Sequence, residues 1–258
     1  MIENPKPSDW KSLQTSVCKI LNEVGIHSET EVTLETPRGE VEIDVFGIDH
    51  NSVEKIRYIV ECKNWQNAVP QTIIHAFTTV LHETGGHIGI LISKEGFQEG
   101  ALKYIKHTNI VAMTFLEFQE RYFDLWFTKN FCTPLAASVD TLLQYVEPVN
   151  SLRSRYLKDL DATKLEEFTA LRNRYEIFAM VVFLLAADKV LPIGHLAQRF
   201  DNSAFFNIED FKNRLVDNLG GEFSYQSVYY RDLVNEMSGH IKEITDKFHH
   251  VFGGNIFS

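Results

Sequence analysis

Two apolar runs of this chain carry ionisable residues in their middles: Val41-Glu-Ile-Asp44-Val-Phe-Gly and Tyr58-Ile-Val-Glu61-Cys-Lys63. Charges are seldom placed in buried strands without a partner or a metal, so these runs constrain the fold more than any other feature. Residues two apart on a strand share a face, which sets Glu61 and Lys63 on one side and Val60 and Cys62 on the other. If the two runs pair, Asp44 joins them, and two carboxylates meet one ammonium. Such a set suits a divalent metal acting on a phosphodiester. The plainer alternative is a hydrogen-bonded strand end at Asp44 and a surface ion pair between Glu61 and Lys63, worth little. Tyr58-Ile-Val is too apolar for a surface edge, which weighs against it.

Around these runs the pattern predicts further elements. Ser8 to Gly25 reads as a helix capped by Ser8 or Asp9, with Leu13, Val17, Ile20, Leu21 and Val24 as its apolar stripe. Glu29 to Thr36 alternates as a strand, and Pro37-Arg38-Gly39 turns it back into the Asp44 strand as a hairpin. Ile56 to Lys63 is a third strand, and Pro70 opens a helix to about Glu83. His87 to Ile92 is apolar enough for a strand buried on both faces. A helix over Gly96 to His107, a strand over Ile110 to Thr114 and a helix over Leu116 to Phe127 follow. This order predicts an α/β fold, a central mixed sheet flanked by helices. Past Cys132-Thr-Pro134 helical spacing takes over, in Leu135–Tyr145, Arg153–Leu160, Lys164–Ala187, Ile193–Phe200, Ile208–Asn218 and Gln226–Val251. The expected domains are therefore 1–130 and an all-helical 131–258.

Taken in order, these positions resemble the Mrr-like restriction endonuclease domain of the PD-(D/E)XK nuclease superfamily. The matching residues are Leu13-Gln14 on the first helix, Asp44, Glu61-Cys-Lys63, Gln71, Gly89 to Phe97 with Gly100-Ala101 behind it, and Asn109-Ile110. The likeness covers roughly residues 8 to 120, the size of one small domain. It implies a restriction-endonuclease-like fold and a Mg²⁺-dependent endonuclease (Mn²⁺ substituting) that acts on DNA in prokaryotic defence. It also implies Asp44, Glu61 and the backbone carbonyl of Cys62 as metal ligands, with Lys63 orienting the attacking water. Gln14 stands where relatives often carry a glutamate; it can bond a water but adds no charge for a second metal. Gln71 matches a glutamine that supports water or phosphate, or is simply a helix-start residue facing solvent. Lys94, in the Ser93-Lys-Glu-Gly turn, is either a phosphate contact or a solvated loop lysine.

The formal charge of −10 sits awkwardly with a nucleic-acid enzyme, and most of the excess lies early: 11 basic against 18 acidic residues up to Thr128. Phosphate contacts normally supply most non-specific affinity. An acidic chain therefore needs a local basic patch, a metal at the acidic site, or a partner that delivers the substrate. The partners expected are DNA, further copies of the chain (a dimer or larger, because duplex cleavage needs two active sites or two visits) and a defence-system protein. No membrane partner is expected, since the longest apolar run, Ile177 to Ala187, is shorter than a bilayer requires. The start shows no secretory pattern, and Cys18, Cys62 and Cys132 fit no disulfide or zinc spacing, so the expected location is cytoplasmic. Leu196–Phe200 with Ile208–Leu219 is faintly like a helix-turn-helix, but the segment between them is too long, and packing helices are the better reading. Phe205-Phe206 is read as core.

Overall fold

The first helix, α1 (Trp10–Val24), starts where Asp9 leaves it: Asp9 is extended and its carboxylate accepts the Ser12 N–H at 2.7 Å. That satisfies a donor which the helix start leaves open. The stripe of Leu13, Val17, Ile20, Leu21 and Val24 is buried, and Gly25 ends the helix at a φ of 101°, a conformation that costs glycine little. The computed structural model describes residues 1–190 and 206–258, and divides the chain into one unit of Met1 with Glu3–Trp126 and another of Ile2 with Phe127–Ser258.

In the first unit β1 (His27–Thr36) and β2 (Gly39–Asp49) form the expected hairpin. Strands β3 (Ile56–Lys63), β4 (Ile88–Ser93) and β5 (Ile110–Thr114) extend the sheet in the order β1-β2-β3-β4-β5. Pairing is antiparallel from β1 to β3 and parallel from β3 to β5. The parallel steps need crossovers, which α2 (Gln71–Glu83) and α3 (Glu99–Ile105) provide. Ile74, Phe77 and Leu81 of α2 and Ala101 of α3 pack with Ile43, Ile59, Leu91 and Ile110 in one core. Ile90, Leu91 and Ile92 are all buried although they alternate faces, so β4 is covered on both sides. Helix α4 (Phe115–Trp126) buries Phe115, Phe118, Phe123 and Trp126. A mixed sheet flanked by helices is the fold observed.

Helix α3 begins at Glu99 rather than Gly96. Phe97 and Gln98 are drawn off into an extended pairing with Val69, whose N–H donates to the Gly96 carbonyl and whose carbonyl accepts the Gln98 N–H, each at 3.0 Å. Helical spacing in Phe97 and Ala101 does not reveal that competing pairing. Pro70 likewise stands just outside α2, extended, as its N-cap.

The second unit is helical among its described residues: α5 (Thr133–Val146), α6 (Ser151–Tyr156), α7 (Ala162–Val190), α8 (Ile208–Leu219) and α9 (Tyr230–Phe252). A π-helical turn at Phe127–Cys132 stacks Phe127 on Phe131, and Phe211 and Tyr230 close edge-on around them. Arg153 is buried and donates to the carbonyls of Gln144, Tyr145 and Glu147 at the end of α5, where a cation suits the helix dipole. Helix α9 starts at Tyr230, later than expected. The Glu236 carboxylate takes the N–H groups of Gln226 and Ser227 instead. The helix expected over Ile193–Phe200, and with it the first half of the helix-turn-helix-like pair, lies outside the described residues, as does Phe205. Phe206 is half-buried. No helix among the described residues is long and apolar enough to cross a membrane.

The seat of α2 on β4 depends on Gly89. A Cβ there would lie 2.7 Å from Phe77 Cε1 and 2.9 Å from Leu81 Cδ2. Gly89→Ala is expected to lower stability by about 1–3 kcal/mol, the usual penalty of overpacking, measured by urea denaturation. An unchanged midpoint would contradict the tight seat described.

Candidate active site

Asp44 sits where β2 loosens from both neighbours. The β1–β2 register steps from Thr30–Val45 to Val32–Ile43 and passes over Glu31, whose φ of 57° is unusual for a side chain with a Cβ. Lys11 of α1 holds the Glu31 carboxylate in an ion pair. On the other side the β2–β3 register ends at Val45–Val60. Beyond it, Asp44 Oδ2 accepts the Cys62 N–H at 2.7 Å, taking the place that the Ile43 carbonyl would fill if the ladder continued. Among the described residues no other hydrogen bond claims that carboxylate. N–H and C=O of one strand residue point to the same side, so the Cys62 carbonyl opens on the same gap.

Alternation along β3 puts Glu61 and Lys63 together, and they form an ion pair with side chains no more than a quarter exposed. Burial pushes the Glu61 carboxyl above its ordinary range, the negative charge of Asp44 adds to this, and Lys63 opposes both. Burial, then the Asp44 and Glu61 charges, hold the Cys62 thiol well above its ordinary value. It stays a neutral thiol, inert as a nucleophile.

Asp44, Cys62 and Lys63 line a cleft of about 450 Å³ between the start of α1 and the end of β3. Gln14 and Trp10 reach it from α1, Asp44 from β2, and Cys62, Lys63, Asn64 and Trp65 from β3 and the loop after it. Two of its atoms are buried acceptors with no partner, Gln14 Oε1 and Asn64 Oδ1. A buried carbonyl left unsatisfied costs on the order of 1–3 kcal/mol, so both are placed to receive a ligand's proton or a cation. Carboxylate, amide and backbone oxygens are the donors that hard cations such as Mg²⁺ take, and the residues present fit one. Among the described residues no three His, Cys, Asp or Glu side chains are grouped to hold an ion alone. A cation here would draw on backbone or amide oxygens and water besides its carboxylates.

Of the residues singled out in the sequence, Asp44, Cys62, Lys63 and Gln14 line this cleft, and Glu61 adjoins it through Lys63. Gln71 and Lys94 are not among the lining residues. Gln71 is the first residue of α2, exposed, with Nε2 3.1 Å from His75 Nε2. Lys94 touches the site strand through its backbone, donating its N–H to the Lys63 carbonyl at 3.1 Å. Asn64, Trp65 and Trp10 were not foreseen. A tryptophan inside the polar run Asn64-Trp-Gln-Asn67 was the available signal, since nothing apolar surrounds it in sequence.

Residues 6–122 match the family model of the Mrr catalytic domain, a restriction endonuclease. They form a Mrr-like restriction-endonuclease domain. That domain contains every residue that lines the cleft and ends before the helical unit. No curated protein matches the chain. Among solved structures, the crystal structure of AF1548, a protein of unknown function, aligns at 15% identity over 69% of this chain and 96% of that one, with a TM-score of 0.38.

Because its carboxyl is pushed upward, Glu61 favours the folded Mrr-like domain when neutral. This contribution is complete below the unfolded carboxylate range and is lost as pH rises through the folded value. Glu61→Gln abolishes the loss. The melting temperature of the variant should therefore gain on the wild type as pH rises from about 4 to 7. A difference that does not move with pH would mean that Glu61 is not desolvated as described.

Proposed function

We propose that the Mrr-like domain is a divalent-metal-dependent endonuclease, with Mg²⁺ its natural ion and Mn²⁺ a substitute, that hydrolyses DNA phosphodiester bonds. One observation carries this reading. Asp44, fixed by the Cys62 N–H, opens with Lys63 on a cleft that also presents two unpartnered amide oxygens.

Asp44, Glu61 and the Cys62 carbonyl would hold the ion. The chemistry such an ion supplies when bound is Lewis acidity, both at the phosphoryl group and at water. The chain's own groups do the rest. The Cys62 hydrogen bond keeps the Asp44 carboxylate in one orientation, so little has to be reorganised when a ligand arrives. Lys63 pairs with Glu61 in a half-buried site, and with Glu61 holding a cation its ammonium would be free. It then orients the attacking water and offsets negative charge gathering on phosphorus. Gln14 Oε1 would accept a hydrogen bond from a water inside the cleft and so help to fix its position. Gln71 and Lys94 lie outside the cleft lining and would serve the flanking phosphates.

The resemblance extends this reading to cytoplasmic defence against foreign DNA, in a dimer or larger assembly that supplies two cuts. Residues 131–258 would then provide recognition, a partner contact or oligomerisation. The charge of −10 favours a variant of the same reading, in which a defence partner delivers the DNA and the domain is latent without it.

Purified full chain, plasmid DNA and Mg²⁺ test the assignment. Wild type should nick or linearise the plasmid and should stop when the ion is chelated. Asp44→Asn and Lys63→Ala should each be slower by at least about 10²-fold, the scale of losing one aligned electrostatic group. Undiminished cleavage by both variants would remove these residues from the mechanism.

A further inference from the structure

The chain has three tryptophans. Trp126 is buried, at 1% exposure, as the most apolar-bodied of side chains ordinarily is. Trp10 and Trp65 are 55% and 42% exposed, and both line the active-site cleft. They come from separate elements, the first residue of α1 and the loop that follows β3. Each indole also has an ammonium above it: Lys11 Nζ lies 5.6 Å from the Trp10 ring and Lys63 Nζ 5.6 Å from the Trp65 ring. An exposed flat π-surface beside a cation matches a nucleotide, which offers a flat base and a phosphate at a fixed spacing.

We propose that Trp10 and Trp65 form a stacking platform for unpaired bases, so that this cleft takes single-stranded DNA, or duplex that is locally open, in preference to closed duplex. The proposal rests on the nuclease reading of the cleft and adds its substrate class. In a closed duplex the bases are stacked on one another, and only their edges and the phosphates are offered to a protein. A chain of charge −10, with Asp9, Glu42 and Asp44 lining the cleft, draws little affinity from phosphates alone. Stacking does not depend on net charge, and it tolerates any sequence because every base has a π-face. Two large aromatics kept in water at the site therefore supply what the charge withholds. The path is consistent with the chemistry, because Lys63 serves both the Trp65 face and the reacting phosphate.

The experiment is equilibrium binding by the full chain with Ca²⁺ in place of Mg²⁺. The ligands are a labelled oligothymidylate and a blunt hairpin duplex of the same length, followed by anisotropy and by tryptophan fluorescence. The variants are Trp10→Ala, Trp65→Ala and Trp65→Phe. Both positions are solvent-facing, and circular dichroism melting verifies that each variant folds. Wild type should prefer the single strand by at least about tenfold and show quenched fluorescence on binding. Each alanine variant should lose about tenfold for the single strand with duplex binding unchanged, and Trp65→Phe should recover most of the loss. Equal affinity for both ligands, no binding of either, or alanine variants that bind the single strand as wild type does would each overturn the platform. Because binding is read without cleavage, the two claims fail separately. Stacking without hydrolysis in Mg²⁺ would defeat the nuclease reading alone, and single-strand cleavage unaffected by either alanine would defeat the platform alone.

Discussion

One hydrogen bond, from the Cys62 N–H to Asp44 Oδ2, stands where the ladder between β2 and β3 would otherwise continue. An ordinary backbone contact at that level would close the sheet and leave no gap. By giving the place to a side chain, the chain opens a cleft at the end of β3 and anchors a carboxylate in its wall. The bond is charge-assisted, worth about 1.5–3 kcal/mol, which is enough to hold Asp44 in one orientation against solvent. The left-handed Glu31 on the opposite flank, held by Lys11, belongs to the same local loosening. Strain of this kind commonly accompanies functional sites, and here it lies directly across from the proposed ligand.

The electrostatics of the site follow from that geometry. Two carboxylates are brought together in partial burial, and the arrangement raises the cost of charging Glu61. Lys63 lowers that cost without removing it. A pair of acids balanced by a single ammonium is a poor resting state and a good receptor for a divalent cation, which would relieve both the mutual repulsion and the unpartnered Gln14 and Asn64 oxygens. The overall acidity of the chain points the same way. On the proposed reading, affinity for a nucleic acid would come from the site itself, from a bound cation and the exposed indoles, rather than from a basic surface.

Much of this was legible in the residues. Strand periodicity around Val41–Gly47 and Ile56–Lys63 is strong because both segments are half or wholly buried, so the face shared by Glu61 and Lys63 could be read directly. The α1 stripe and its Asp9 cap were equally plain. The release of Asp44 from both ladders was not, because nothing in a local pattern tells where a register stops. The late start of α3 was hidden for a related reason: the partner that holds Phe97 and Gln98 extended is Val69, far away in sequence. Asn64, Trp10 and Trp65 escaped notice because loop and helix-start residues have no period, and their role appears only when two elements meet at one cleft.

The most direct measurement is a crystal structure of the chain grown with Mn²⁺, with the ion located by its anomalous scattering. The account predicts a peak in the cleft bound by the Asp44 carboxylate and the Cys62 carbonyl, with the Asp44–Cys62 hydrogen bond intact and Glu61 turned from Lys63 toward the ion. A cleft without a peak at saturating Mn²⁺, or an Asp44 turned away from Cys62, would contradict it.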